Sequence, residues 1–146
     1  MSWSEVAVLS KIIKKNKIYV ATDGFTLLKL SGVSKEVDAN ESVDETVLYT
    51  IKTELGGTVN FKLPATTDYS NGLDFYLVLT DTDGNKEQYY GKINFPSSTA
   101  AIDAVKLKAN KTYTIGIKPK TNIGRATFSD IIINGIIIDG KALSQI

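Results

Sequence analysis

The chain has 146 residues, 17 basic and 16 acidic side chains for a net charge of +1, and neither cysteine nor histidine. Losing both residue types excludes thiol and imidazole nucleophiles, the commonest general base and the usual zinc ligand sets. A chain this long buries roughly 70% of its unfolded surface, so one core holds it without disulfide or metal staples; its near-neutral charge supplies no field for collecting nucleic acid.

Ser2 and Glu5 have the spacing of a capping box. Val6, Leu9, Ile12 and Ile13 then recur at helical spacing, and Lys11, Lys14, Lys15 and Lys17 fill the other face as a solvated surface. The pattern predicts a short helix ending near Asn16. Such a helix is marginal in water, so its stripe of Val6, Leu9 and Ile13 must dock, either on its own domain or on another subunit. Residues 1–5 lack the basic run and apolar core of a secretory signal, and no stretch reaches the ~20 apolar residues of a membrane helix. The expectation is synthesis in a cytoplasm, without membrane insertion.

Residues 17–30 read as a β-hairpin: Ile18, Tyr19 and Val20 lead into Asp23-Gly24, and Phe25 to Leu30 return. Residues 31–45 are polar and acidic without apolar periodicity and read as a linker. They divide the chain into an attachment or oligomerisation segment, 1–45, and a β-domain, 46–146.

From Thr46 the pattern is β throughout. Val47, Tyr49 and Ile51 alternate with polar neighbours before Gly56-Gly57 turns the chain. Val59, Phe61 and Leu63 form a half-buried strand that Pro64 is expected to stop. Leu73, Phe75, Leu77 and Leu79 give another strand, joined by the loop Asp81–Asn85 to one carrying Tyr89, Tyr90 and Ile93. After Pro96 and a Ser/Thr/Ala tract come Val105 and Leu107, a turn at Asn110-Lys111, and a strand with Tyr113, Ile115 and Ile117. Last, Asn134-Gly135 between Ile131–Ile133 and Ile136–Ile138 reads as a hairpin turn. Both faces of that hairpin are apolar, so it needs cover on both sides. About seven or eight short strands with turns between them predict a mainly β protein, an antiparallel β-sandwich of jelly-roll or immunoglobulin-like topology.

Few constellations carry chemistry. Asp81-x-Asp83-Gly84-Asn85 has the oxygen spacing that opens a calcium loop, but the closing bidentate Glu would fall at Lys92. A hairpin loop rich in residues that tolerate left-handed backbone explains it better, so no metal or cofactor is expected. Carboxylates are plentiful, yet none sits in a motif implying burial or an altered pKa, and no catalytic residue is assigned. Tyr69, Tyr76, Tyr89 and Tyr90 are the candidate ligand-binding residues. Flat rings beside Asp, Asn and Gln suit sugar recognition, since each joins apolar area to a polar tip; cross-strand packing is the structural alternative.

Two stretches resemble structural proteins of tailed phages from Gram-positive bacteria. Met1-Ser2-Trp3-Ser4-Glu5-Val6 resembles the opening of tail-fibre or minor tail proteins, although Ala7 to Lys17 departs from the Asn-rich continuation of that group. Val47 to Asp139, through Ile51–Phe61, Leu107–Tyr113 and the Ile-rich end, is similar to the β-sandwich module attached to them and to carbohydrate-binding modules. The resemblance implies a non-enzymatic virion component (tail fibre, baseplate or similar) on the particle surface, partnered by itself or other virion proteins and touching host glycan. Val6, Leu9, Ile13, Ile131, Ile133, Ile136 and Ile138 are then the candidate oligomer interface. The alternative is a carbohydrate-binding β-sandwich module.

Overall fold

The structure is a computed structural model that describes residues 19–20, 26–32, 34–54, 56–138 and 143–145. The helix expected over Val6, Leu9 and Ile13 lies outside them. The strands are β1 Tyr19–Val20, β2 Thr26–Leu30, β3 Lys35–Asp38, β4 Thr46–Thr53, β5 Gly57–Thr66, β6 Leu73–Asp81, β7 Lys86–Ile93, β8 Ser97–Leu107, β9 Thr112–Pro119, β10 Arg125–Phe128, β11 Ile131–Ile138 and β12 Leu143–Gln145.

Two antiparallel sheets make the sandwich. The five-stranded sheet runs β12-β4-β9-β6-β7. The seven-stranded sheet is built on β5, flanked by β8 on one side and by β10 and β11 on the other; β3 lies beyond β10, and β1 and β2 lie beyond β11.

The core follows from alternation. Leu73, Phe75, Leu77 and Leu79 of β6 face Phe61, Leu63 and Val59 of β5, and Ile115, Ile117, Phe128, Ile131 and Ile133 fill the space between. Burying each such side chain is worth roughly 1.5–3 kcal/mol. The Phe75 and Phe128 rings meet edge to face, 5.4 Å apart and 84° inclined, the arrangement their quadrupoles favour.

Several expectations change. The Ile-rich end is no hairpin: β11 runs straight through Asn134-Gly135, paired on one side with β5 and on the other with β2 and β1. Register shifts at Ile133/Asn134 and Gly135/Ile137 mark the dipeptide as a bulge, the other use β-sheets make of glycine. A strand between two others needs no turn, and tertiary pairing overrides the local turn signal. Ile131 and Ile133 are fully buried inside the single chain, which removes them from an oligomer interface. The side chains of Ile136 and Ile138 lie outside the description.

Nor are residues 17–30 a hairpin. Both β1 and β2 run antiparallel to β11, at Tyr19↔Ile138 and Leu28↔Ile133, so they follow one another along it in the same direction. The expected linker holds β3, and Val37 and Ala39 join Leu28 and Leu30 in the common core cluster. No boundary between cores falls at residue 45. Short polar strands with one buried residue each give little periodicity to read.

Two strand details also differ. A register shift between Val47 and Tyr49 turns Leu48 inward and leaves Val47 exposed. Pro64 does not stop β5. Its carbonyl accepts from Ser129 N at 3.1 Å, in the gap between β10 and β11, so the missing N–H faces a place where the ladder is already interrupted. The Ser/Thr/Ala tract, assigned no strand above, opens β8, whose Ala100 and Ile102 are buried.

Candidate functional site

Strand alternation puts Asp74 and Tyr76 of β6 on the solvent side of the five-stranded sheet. Directly opposed residues share a face, so Tyr90 and Lys92 of β7 join them through Tyr76↔Tyr90 and Asp74↔Lys92, and Lys118 of β9 through Tyr76↔Lys118. Strand period together with the β6–β7 and β6–β9 registers thus assembles two adjacent rings, one carboxylate and two ammonium groups. Lys120, just past β9, completes the group: its backbone N–H donates to Asp74 O at 2.9 Å.

The site is held in place while staying open. Tyr90 is 52% exposed, yet its hydroxyl donates to Asp74 Oδ1 at 2.8 Å. That bond, with lesser contributions from burial and the Asp74 charge, raises the phenol above its ordinary value. Lys120 Nζ sits 4.7 Å from the Tyr90 ring centroid, a cation–π contact. Lys92 Nζ lies 3.6 Å from Asp74 Oδ1. Lys118 Nζ donates to Val43 O at 3.0 Å, and neither Lys118 nor Lys120 makes an ion pair among the described residues. Three lysines therefore surround one carboxylate, and the corner carries positive charge.

Glycines set its limits. Gly91 follows Tyr90, and a Cβ there would meet the Phe75 ring at 2.5 Å; Phe75 fills that space from below and supports β7. On the far side, a Cβ on Gly116 would fall 2.2 Å from Glu45 Oε2, because the Glu45 side chain lies across the sheet and bounds the open face.

Of the four tyrosines picked from the sequence, the structure brings Tyr76 and Tyr90 together and separates the others. Tyr89 faces inward and packs against the core. Burial, then its 2.6 Å hydrogen bond to Glu87 Oε2, push its phenol up to about 12. Tyr69 lies in the 67–72 loop under Arg125, whose guanidinium is 4.9 Å from the ring centroid. Arg125 also grips both Asp68 oxygens at 2.7 Å and reaches Asp38 Oδ2 at 3.4 Å, so that tyrosine belongs to a structural clamp. Sequence reading missed Asp74, Lys92, Lys118, Lys120 and Arg125. The first two stand two residues from Tyr76 and Tyr90, a period-2 signal that identifies them as same-face neighbours.

The sequence matches no protein-family model and no curated protein. Among solved structures the chain is similar to a family 35 carbohydrate-binding module, the CBM35 from Cellvibrio japonicus Abf62. The TM-score is 0.56 at 12% identity, over 88% of this chain and 96% of that one. It is similar also to a Xyl-CBM35 in complex with a glucuronic acid containing disaccharide, with TM-score 0.55 and 11% identity over 88% and 96%. At such identities the likeness is one of fold. It gives the sandwich the jelly-roll topology and sets the immunoglobulin-like alternative aside.

Proposed function

We propose that this chain is a carbohydrate-binding module without catalysis of its own, and that the Tyr76–Tyr90 corner is where it reads a glycan. The observation that carries the proposal is the direct opposition of Tyr76 and Tyr90 on an open sheet face, ringed by Asp74, Lys92, Lys118 and Lys120. Rings provide apolar area for the C–H face of a sugar, and the charged groups provide hydrogen bonds for its hydroxyls. The excess of lysine suits a sugar bearing a carboxylate, and one fold neighbour is described with a glucuronic acid containing disaccharide.

A glycan array of neutral and uronate oligosaccharides, followed by calorimetry, tests this. Binding is expected to weaken at least about tenfold in Tyr90→Ala and in Tyr76→Ala, and to weaken further with salt for a uronate ligand. Blank arrays, or hits that survive both substitutions, overturn it.

The phage-particle reading keeps the support of Met1–Val6 and loses that of Ile131 and Ile133. The two readings meet in a fibre or baseplate component, made in a cytoplasm and carried on a particle, that contacts host glycan. Native mass spectrometry separates them: a homo-oligomer supports the particle component, and a strict monomer counts against it.

A further inference from the structure

A cavity of about 400 Å³ opens at the other end of the sandwich, away from Tyr90. It lies between the sheets, where Asp81, Glu87 and Tyr113 of the five-stranded sheet face Gly57 and Leu107 of the seven-stranded one. Strand period explains what fills it. Leu79, Asp81 and Tyr113 point inward, and so does Glu87, directly opposite Leu79. The same alternation that packs leucines in mid-strand thus aims two carboxylates and a phenol into the gap where the sheets part.

These groups are fixed. Asp81 is 8% exposed; its Oδ1 accepts from Asp83 N and Asn85 N at 2.9 and 3.0 Å, and its Oδ2 from Asn85 Nδ2 at 3.2 Å. Burial alone would raise this carboxyl, but those bonds and the Lys111 charge outweigh it and keep the group ionised. The Glu87 carboxylate is held by the Tyr89 hydroxyl through one oxygen. Its other oxygen has no partner among the described residues. Leu79 and Leu107 make an apolar floor, and Tyr113, anchored by Lys108 N at 2.9 Å, makes a wall.

We propose that this cavity is a second ligand site, and that it takes a neutral sugar ring. The volume falls at the small end of the roughly 300–1,000 Å³ typical of ligand pockets, enough for one or two rings. An apolar floor facing acceptors matches a pyranose, which turns C–H groups to one side and hydroxyls to its edge. The free oxygen of Glu87 accepts a hydroxyl, and Lys106 and Lys108 in the lining balance the two carboxylates, so the cavity offers no excess of positive charge to hold an anionic sugar. The selectivity differs from that of the Tyr90 corner, where lysines are in excess. This site stands on its own geometry and does not depend on the function proposed for that corner.

The test is an NMR titration of the ¹⁵N-labelled full chain with methyl glucoside, methyl galactoside, methyl mannoside and sodium glucuronate. At least one neutral hexoside should give saturable, millimolar shifts at the amides of Thr58, Glu87 and Lys108, unchanged in Tyr90→Ala and weakened at least about fivefold in Glu87→Gln. Glu87 is exposed, so Glu87→Gln is expected to fold, which its unliganded spectrum checks. Glucuronate should bind there more weakly than that hexoside. No saturable shift at these amides with any hexoside overturns the proposal. So does full affinity in Glu87→Gln, or glucuronate binding as tightly as the hexosides.

Discussion

The two ends of this sandwich are closed by different sets of bonds. At the Tyr90 end the loops 39–45, 67–72, 94–96 and 120–124 are tied to one another. Ala39 N donates to Gly124 O and Thr67 N to Pro96 O, the Thr67 hydroxyl donates to Arg125 O, and Arg125 joins Asp68 to Asp38. Gly72 and Gly124 allow this, since a Cβ at Gly72 would lie 1.8 Å from Ile93 O and one at Gly124 2.3 Å from Gly72 O. At the other end the ties are fewer: Asp81 closes 81–85, Thr53 of β4 closes 108–111, and Lys111 Nζ joins the two turns at Asp83 Oδ2, 2.9 Å away. The interlocked loops support the exposed aromatic face beside them and leave an opening of about 450 Å³ lined by Asp68, Arg125 and Thr127, whereas at the other end the sheets themselves part around Asp81, Glu87 and Tyr113.

The largest expected effect breaks the interlocked end. Gly72→Ala forces a side chain into the Ile93 carbonyl at φ +68°, a cost on the order of 3 kcal/mol or more, readable as a fall in the denaturation midpoint. A neutral result would mean the loops give way easily and the interlocking is loose. Next comes Thr53→Val at the other end. The buried Thr53 hydroxyl donates to Lys108 O at 2.6 Å and accepts from Lys111 N at 3.0 Å. Losing both partners should cost about 1–3 kcal/mol without disturbing amide shifts around Gly72; changes reaching that end would show that the two ends are coupled.

The smallest effect is one of pH. The Arg125 hydrogen bond holds the folded Asp68 carboxyl below 3.8, its unperturbed value. The unfolded chain therefore binds more protons as pH falls through 3.8, and the stabilisation, complete above that value, is lost below it. Asp68→Asn should lower stability at neutral pH and flatten the acid limb of the stability curve. An unchanged acid limb would remove this pair from the clamp.

Strand period made most of the framework legible. Leu73–Leu77, Val59–Leu63 and Tyr113–Ile115 alternate because one side of each strand meets the core and the other lies toward water, while Val78 and Gly116, opposed on the outer face, are buried as well. It failed where a strand is buried on both edges or bent. Asn134-Gly135 carries the chemistry of a turn and serves as a bulge, and Val47–Tyr49 shifts phase in mid-strand. Residues 35–38 show one buried valine among polar neighbours, too little to distinguish a strand from a linker. The candidate site was half legible. Period 2 puts Tyr76 and Tyr90 on a face, but their pairing depends on the β6–β7 register, and Lys118 arrives from β9, on the other side of β6.

Calorimetric titration of a uronate-bearing oligosaccharide into the wild-type chain and Tyr90→Ala tests the central claim most directly. Micromolar to millimolar binding to the wild type, lost in Tyr90→Ala at unchanged thermal stability, is the predicted result. Equal affinity for both proteins would contradict it.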